Sequence, residues 1–234
     1  MAFSYILLNV TSSIYVPKTY FVIIMIIDEI YSILEREFKK HKMPVVELIA
    51  MQTNDSYKIL VTTILSARTK DKTTKEAAER LFDKAGTLAE LSKLSRAKIR
   101  ELIYPVGFYK KKAEYLHELP REIQMRFSGK IPSTIDNLVK LPGVGRKTAN
   151  LVVSMAFNKP AICVDVHVHR ICNRLGYVKT NKPYDTEMAL RKKLPKKYWT
   201  NFNSYLVSFG QHICRPVGPK CGECPVEGYC ERLF

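Results

Sequence analysis

Residues 141–149 read Leu-Pro-Gly-Val-Gly-Arg-Lys-Thr-Ala, and this is the most informative stretch of the sequence. Before it, apolar residues at helical spacing over positions 135–139 predict a short helix, which the proline of the stretch ends. Gly143 and Gly145 then favour a tight turn, and a second helix is predicted to begin at about Arg146. The stretch therefore predicts a helix, a hairpin and a helix.

The predicted hairpin has the chemistry of a phosphate-binding site. Gly143 and Gly145 would bring bare backbone N–H groups to the surface, and Arg146 adds a cation beside them. The new helix N-terminus contributes partial positive charge, so that a phosphodiester can dock without any base being read. The alternative is an ordinary turn between two helices.

Lys147 and Asp165 are the candidate catalytic residues. Lys147 lies in the first turn of the second helix, where the helix dipole disfavours positive charge and so favours the neutral, nucleophilic amine. Asp165 precedes an apolar stripe over residues 168–175, which predicts a helix N-cap whose carboxylate stays ionised. The alternatives are a lysine that pairs with phosphate and an aspartate that only caps a helix. An anion near Lys147 would favour the charged amine, so both protonation states remain open at this point.

Four of the six cysteines lie close together near the end of the sequence, with six, two and five residues between them: Cys214, Cys221, Cys224 and Cys230. Four thiolates with one tight pair can hold a zinc ion or a cubane iron-sulfur cluster. Zinc modules more often show two tight pairs, so the spacing favours the cluster. The loop would then project Arg215 and Lys220 toward phosphates. Cys163 and Cys172 lie in apolar patterns and are predicted to be buried.

The charge of the chain points to a polyanionic partner. Lys and Arg number 38 against 22 Asp and Glu, an excess of 16 positive charges. These basic residues are spread along the chain among aromatic residues, which favours nucleic acid over a membrane surface. Residues 1–27 are apolar but lack the features of a signal peptide, and Pro17 and Lys18 interrupt the run. We expect an extension outside the fold, with a membrane anchor as the alternative.

From residue 28 onward, apolar residues recur at helical spacing along almost the whole chain. Residues 58–65 and 161–166 have the composition of strands, but two isolated strands would have nothing to pair with. The sequence therefore predicts an all-α protein.

Together these motifs resemble the endonuclease III family of DNA glycosylases. The stretch 141–149, with Asp165 following 16 residues after it, looks like the family's helix-hairpin-helix and Gly/Pro-Asp signature. Residues 65–71, Leu-Ser-Ala-Arg-Thr-Lys-Asp, resemble an early helix boundary of the family, and the cysteine tail resembles its iron-sulfur loop. The resemblance covers residues 28–230.

The resemblance implies a fold of two helical lobes with a cleft between them. One lobe is a six-helix barrel domain with the helix-hairpin-helix, expected over residues 51–159. The other is an iron-sulfur cluster domain, expected from residues 28–50 and 160–234, in which the four cysteines hold a [4Fe-4S] cluster. Double-stranded DNA with damaged bases or abasic sites would lie across the cleft, where Lys147 and Asp165 meet.

The resemblance also implies a bifunctional DNA N-glycosylase and AP lyase of base excision repair. The lysine matching Lys147 attacks the sugar as the flipped base leaves, and the aspartate matching Asp165 stabilises the positive charge that develops. The resulting imine allows β-elimination 3′ to the abasic site. Arg68 would fill the hole left by the flipped nucleotide, and Arg170 would contact phosphate. We expect a monomer with no membrane partner, acting at the nucleoid in the cytoplasm, or in the nucleus or mitochondrion of a eukaryote.

Two positions depart from the usual family pattern. Val166 stands where many members have threonine, and Arg68 stands where many have glutamine. Both bear on the family's preference for oxidised pyrimidines. Val166 lacks the threonine hydroxyl near the site, and Arg68 can fill the space of the flipped nucleotide as glutamine does but can also bind phosphate. Two other functions remain alternatives: a monofunctional glycosylase for a mismatched or alkylated base, and a noncatalytic DNA-binding module.

Overall fold

The computed structural model describes residues 18–41 and 44–233, with side chains described from residue 26 onward in these ranges. Within them the chain forms twelve α-helices and three short 3₁₀ turns and contains no strand, so the all-α prediction is confirmed. In chain order the helices are α1 (Lys18–Phe38), α2 (Val45–Thr53), α3 (Ser56–Ser66), α4 (Asp71–Lys84), α5 (Leu88–Leu91), α6 (Arg96–Ile103), α7 (Tyr109–Phe127), α8 (Ile135–Leu138), α9 (Arg146–Phe157), α10 (Val166–Arg174), α11 (Pro183–Lys193) and α12 (Trp199–His212).

The segment with strand-like composition, residues 58–65, lies inside α3. Asp55 caps this helix, because its side chain accepts hydrogen bonds from the backbone N–H groups of Tyr57 and Lys58. Most of α3 is buried, and its apolar side chains contact α4, α7 and α9. Burial on several sides thus outweighs the preference of its β-branched residues for strands. Most of the second such segment, residues 161–165, forms the connection between α9 and α10, and its last residue, Val166, begins α10.

Apolar side chains gather into two main cores. The first draws its buried residues from positions 57–161, and the second from positions 27–34 and 162–226. The second core therefore joins α1 to α10, α11 and α12, although α1 is far from them along the chain. The connection between α9 and α10 is the point at which the chain passes from one core to the other.

Helix α2 belongs with the first core by its packing. Val45 and Val46 are buried against Ile59 of α3, and the helix also contacts α4 and α9. The predicted domain boundary between residues 50 and 51 therefore falls inside a helix. The buried residues of this helix lie at its start, whereas Met51 near its end is exposed.

The predicted N-terminal extension overlaps the first helix. Residues 1–17 lie outside the described part of the chain, whereas the backbone of α1 begins at Lys18 and Ile27 is buried in the second core. Asp28 accepts a hydrogen bond from the Tyr198 hydroxyl, which ties α1 to the start of α12. None of the described helices combines the length and the apolar character that a membrane span requires.

Candidate active site

The hairpin connects α8 to α9, and α9 begins at Arg146 as predicted. Gly143 has a φ of +74°, and a Cβ built on it would lie 2.6 Å from the Tyr115 ring, so this position needs glycine. Gly145 is the N-cap of α9, with an ordinary extended φ of −87° and nothing within 4 Å of a built Cβ. Because glycine supplies no capping side chain, the first N–H groups of α9 have no side-chain cap. These groups are suited to bind a phosphate.

The two candidate catalytic side chains meet beside this hairpin. The Nζ atom of Lys147 lies 3.5 Å from Oδ2 of Asp165. Lys147 is 56% exposed at its side chain, whereas that of Asp165 is 9% exposed. The other carboxylate oxygen, Oδ1, accepts hydrogen bonds from the backbone N–H groups of His167 and Val168, at 2.8 and 3.0 Å. Asp165 is therefore the predicted N-cap of α10, with one oxygen fixed by the helix and the other directed at the amine.

The extended segment between α9 and α10 holds the two helices in place. Cys163 lies in it, and its thiol is 3.6 Å from the backbone carbonyl of Lys147. The backbone carbonyl of Cys163 accepts a hydrogen bond from the Asn203 amide of α12. Burial raises the pKa of the Cys163 thiol to about 12, so it remains protonated at neutral pH. Cys163 and Cys172 are both buried, as predicted from their apolar surroundings.

Arg146 is held by a buried acid that sequence reasoning missed. Its guanidinium donates two hydrogen bonds, of 2.8 and 2.9 Å, to the carboxylate of Glu187 on α11. Glu187 is only 3% exposed and also accepts from Arg191, which in turn donates to Asn150 of α9. Hydrogen bonding to Glu187 raises the pKa of Arg146. The only sequence signal was the i, i+4 pair of Glu187 and Arg191.

Arg68, predicted to fill the space of a flipped nucleotide, is exposed at the end of α3. Its guanidinium carbon lies 5.6 Å from the ring centre of Phe108, an exposed residue immediately before α7. The sequence analysis did not select Phe108. No local pattern distinguishes it, because its position beside Arg68 depends on contact between two separate loops.

Arg170 makes contacts different from the predicted phosphate contact. Its guanidinium donates to the backbone carbonyls of Gly210 and Cys214, at 3.2 and 2.8 Å, and burial lowers its pKa. It thereby connects α10 to the end of α12 and to the cysteine loop. Arg215 and Lys220 are exposed on that loop, where Arg215 donates to the carbonyl of Gly218 and Lys220 pairs with Glu223.

The four cysteines of the tail line one cavity, together with apolar side chains that include Ile171, Phe209 and Val226. Within the described residues, no three His, Cys, Asp or Glu side chains converge in the way that a single metal ion requires. In a cubane cluster each cysteine binds a different iron, so its ligands stand further apart than those around one ion. Four thiols around an apolar cavity therefore fit a cubane cluster better than zinc.

The chain is similar to known proteins of DNA repair. The model of the HhH-GPD superfamily base excision DNA repair protein matches residues 61–196. Endonuclease III of Thermotoga maritima is 45% identical over 177 residues, which cover 76% of this chain and 83% of that protein. The chloroplastic endonuclease III homolog 1 of Arabidopsis thaliana is 42% identical over 191 residues, 78% of this chain and 50% of the relative, so the chain spans about half of that relative's length.

Solved structures show the same similarity. A trapped covalent intermediate of an endonuclease III with DNA, an estranged-adenine complex, has a TM-score of 0.76 and 31% identity, over 88% of this chain and 95% of that one. A thermostable thymine-DNA glycosylase has a TM-score of 0.75 and 28% identity over the same shares of the two chains.

Proposed function

The chain belongs to the endonuclease III family within the HhH-GPD superfamily of base excision repair proteins, and we propose that Lys147 and Asp165 carry out its chemistry. It is a bifunctional DNA glycosylase and AP lyase that acts on damaged duplex DNA. The observation that carries the residue assignment is the distance of 3.5 Å between an exposed amine and a largely buried carboxylate. Two elements fix this pair, because α9 begins at the hairpin and Asp165 caps α10.

In the first step Lys147 is the nucleophile. Its neutral amine attacks C1′ of the flipped nucleotide, the bond from C1′ to the base breaks, and the base leaves with the electron pair and takes up a proton. Asp165 lies where its free oxygen can stabilise the positive charge on the sugar and accept a proton from the attacking amine. Opening of the sugar ring then gives an imine between Lys147 and C1′.

In the second step the imine acts as an electron sink. Loss of the C2′ proton moves electrons toward the imine nitrogen, the bond from C3′ to its oxygen breaks, and the 3′ phosphate leaves. Water then hydrolyses the imine and regenerates Lys147. Glycosylase and lyase steps thus share one side chain, whose exposure leaves room for the sugar.

DNA would lie across the cleft between the two lobes. In this proposal the expected boundary at residue 51 moves to the start of α2, so that α2 to α9 form the barrel lobe, and α1 with residues 162–234 forms the cluster lobe. The hairpin N–H groups at Gly143 and Gly145 bind phosphate, which is supported by the open space around Gly145 and the absence of a side-chain cap at the start of α9. Arg215 and Lys220 extend this contact from the cysteine loop. Arg146 and Arg170 support the proposed interface indirectly. Arg146 orients the hairpin through Glu187, and Arg170 orients the cysteine loop through the backbone carbonyl of Cys214.

Members of the family generally bind a [4Fe-4S] cluster, and we propose that the four tail cysteines hold one here. When bound, the cluster supplies a structural link that fixes the loop of Arg215 and Lys220. We further propose oxidised pyrimidines as the substrates and a monomer as the active form. It would act where DNA is found, at the bacterial nucleoid in the cytoplasm, or in the nucleus or mitochondrion.

Borohydride trapping tests the proposed nucleophile. On a duplex with an abasic site, the wild-type protein should give a covalent complex after reduction, and Lys147→Ala should give none because no imine forms. Asp165→Asn should still bind this duplex but release a damaged base about 100-fold more slowly or worse. Lys98→Ala, which removes an exposed lysine on α6, is the control and should trap as the wild type does.

Three results would contradict the proposal. A trapped complex that persists in Lys147→Ala would assign the nucleophile to another amine. Base release by the wild type with no trapped complex would support the monofunctional alternative, and binding without any cleavage would support a noncatalytic module.

A further inference from the structure

Tyr184 is an exposed aromatic residue at the start of α11, beside the hairpin. It is the second residue of that helix and is 55% exposed. The guanidinium carbon of Arg146 lies 5.2 Å from the centre of its ring. Arg146 is the first residue of α9 and directly follows Gly145, so the Tyr184 ring lies next to the proposed phosphate site. In the part of the chain that the structure describes, the Tyr184 hydroxyl makes no hydrogen bond.

The position of this ring is fixed by the buried acid that holds Arg146. Glu187 follows Tyr184 by three residues on α11, and residues at that spacing lie on the same face of a helix. The carboxylate of Glu187 accepts two hydrogen bonds from the guanidinium of Arg146, which keeps that group against the ring. A guanidinium over an aromatic face is itself an attractive contact. Contacts within the protein therefore hold Tyr184 beside the hairpin before DNA binds.

The surroundings of Tyr184 suit a second phosphate. The positive charge of Arg146 is already paired with Glu187, whereas the Tyr184 hydroxyl is a neutral group with a hydrogen to donate. Phosphate oxygens of DNA accept hydrogen bonds from tyrosine hydroxyls as well as from backbone N–H groups at helix starts. The start of α11 has no side-chain cap on Lys182, so its partial positive charge adds to that of α9. A neutral donor thus lies between two helix starts that both favour an anion.

We propose that the Tyr184 hydroxyl donates a hydrogen bond to a DNA phosphate next to the one that the hairpin holds. This inference rests on the proposed function, since it requires DNA to lie against the hairpin. The contact forms when DNA binds and stays the same during base release, because the charge of a backbone phosphate does not change in that step. Tyr184 therefore contributes to the affinity for DNA and not to the chemical step.

The first test is Tyr184→Phe, which removes the hydroxyl and keeps the ring over Arg146. On a duplex with tetrahydrofuran as a stable abasic-site analogue, the dissociation constant should rise about 5- to 20-fold, as expected for one hydrogen bond to a charged group. The thermal unfolding midpoint should stay within about 1 °C, since the packing of the ring is unchanged. Base release at saturating protein should stay within about twofold, because the lost contact is equally strong before and during the reaction.

Methylphosphonates, which replace one charged phosphate oxygen with a methyl group, locate the contact when they are placed singly around the abasic-site analogue. At one phosphate beside that of the hairpin, the loss of affinity should be at least about threefold larger for the wild type than for Tyr184→Phe. At all other phosphates the two proteins should lose affinity equally. Their salt dependence should also be the same, because the hydroxyl carries no charge. Tyr31→Phe, which removes a hydroxyl that bonds to Tyr205 between α1 and α12, is the control and should bind as the wild type does.

The inference is overturned if Tyr184→Phe binds the duplex as tightly as the wild type does. It is also overturned if every methylphosphonate has the same effect on both proteins, since the hydroxyl would then contact no single phosphate. In both cases borohydride trapping at an abasic site would show that the proposed function still holds, because that reaction depends on Lys147. A wild-type protein that neither binds the duplex nor forms a trapped complex would overturn the proposed function and this inference together.

Discussion

Gly143 and Gly145 lie two residues apart in the hairpin, yet only Gly143 is required by its geometry. Its positive φ disfavours any side chain, and the Tyr115 ring fills the space that a Cβ would occupy. Gly145 has neither constraint, and its contribution is to leave the first N–H groups of α9 uncovered. The two glycines therefore serve one phosphate site in different ways, the first by shaping the turn and the second by keeping it open.

Alanine at each position should separate these roles. Gly143→Ala should lower the free energy of unfolding by about 1–3 kcal/mol, through left-handed strain and the contact with Tyr115, and should weaken binding to an abasic duplex. Gly145→Ala should lower the free energy of unfolding by less than about 1 kcal/mol, because its one effect on stability is that alanine is a poorer N-cap than glycine. Urea unfolding and equilibrium DNA binding measure both effects. Equal losses in the two variants would show that the Tyr115 contact does not matter.

At the scale of elements, α9 is fixed by an acid on α11. Glu187 binds Arg146 and Arg191 at once, and Arg191 reaches back to Asn150 on α9. Lys147 lies one residue after Arg146, so the same network that pairs the helices also orients the start of α9. The two guanidinium groups also lie over aromatic rings, that of Arg191 over Trp199 and that of Arg146 over Tyr184.

Glu187→Gln should destabilise the protein strongly for a change of so few atoms. The substitution leaves two guanidinium groups without their counter-charge. Because Arg146 is 38% exposed, we expect the free energy of unfolding to fall by about 2–3 kcal/mol, which is less than the loss of a fully buried pair. The rate of imine formation should fall as well. Glu101→Gln breaks the exposed pair with Lys98 and should change stability by less than about 0.5 kcal/mol. Similar losses in the two variants would contradict the role of Glu187.

The starts of the helices that position the site were predictable from the sequence where the capping residues lie next to them in the chain. The glycines before Arg146 and the carboxylate of Asp165 are capping signals, and both helices begin where these signals put them. Glu187 was missed because its partner Arg146 lies 41 residues away in sequence. Lys112 was missed for the same reason, since the carbonyl of Leu65 is 47 residues away. Such partners become visible only once the helices are packed.

At the scale of the whole molecule, α2 and α12, which pack in different cores, meet at a partly buried acid on α2. Glu47 accepts a hydrogen bond from the Ser204 hydroxyl of α12. Burial raises the pKa of Glu47 to about 7, although the hydrogen bond from Ser204 opposes this shift. The contact between the lobes therefore changes its charge near neutral pH.

This acid predicts a pH dependence of stability with a definite sign. Between about pH 4.5, the ordinary value, and pH 7, the folded protein binds more protons at Glu47 than the unfolded chain does. The free energy of unfolding should therefore fall as pH rises through this window, by at most about 1.4 kcal/mol per pH unit. Glu47→Gln should lack this contribution while keeping an oxygen for Ser204. Urea unfolding of both proteins from pH 4.5 to 7.5 measures the difference, and parallel pH profiles would contradict the prediction.

The contact between α1 and α12 has a consequence for how the protein is made. Asp28 and Tyr198 are 170 residues apart, and the apolar face of α1 packs in a core otherwise built from residues 162–226. During synthesis on the ribosome, all the buried residues of the first core are made before the helices on which α1 packs. Lys147 belongs to the part that can fold early and Asp165 to the part that folds late. Nascent chains should therefore fold around the proposed nucleophile before its carboxylate is in place, and the proposed catalytic pair should form only after α12 has been made.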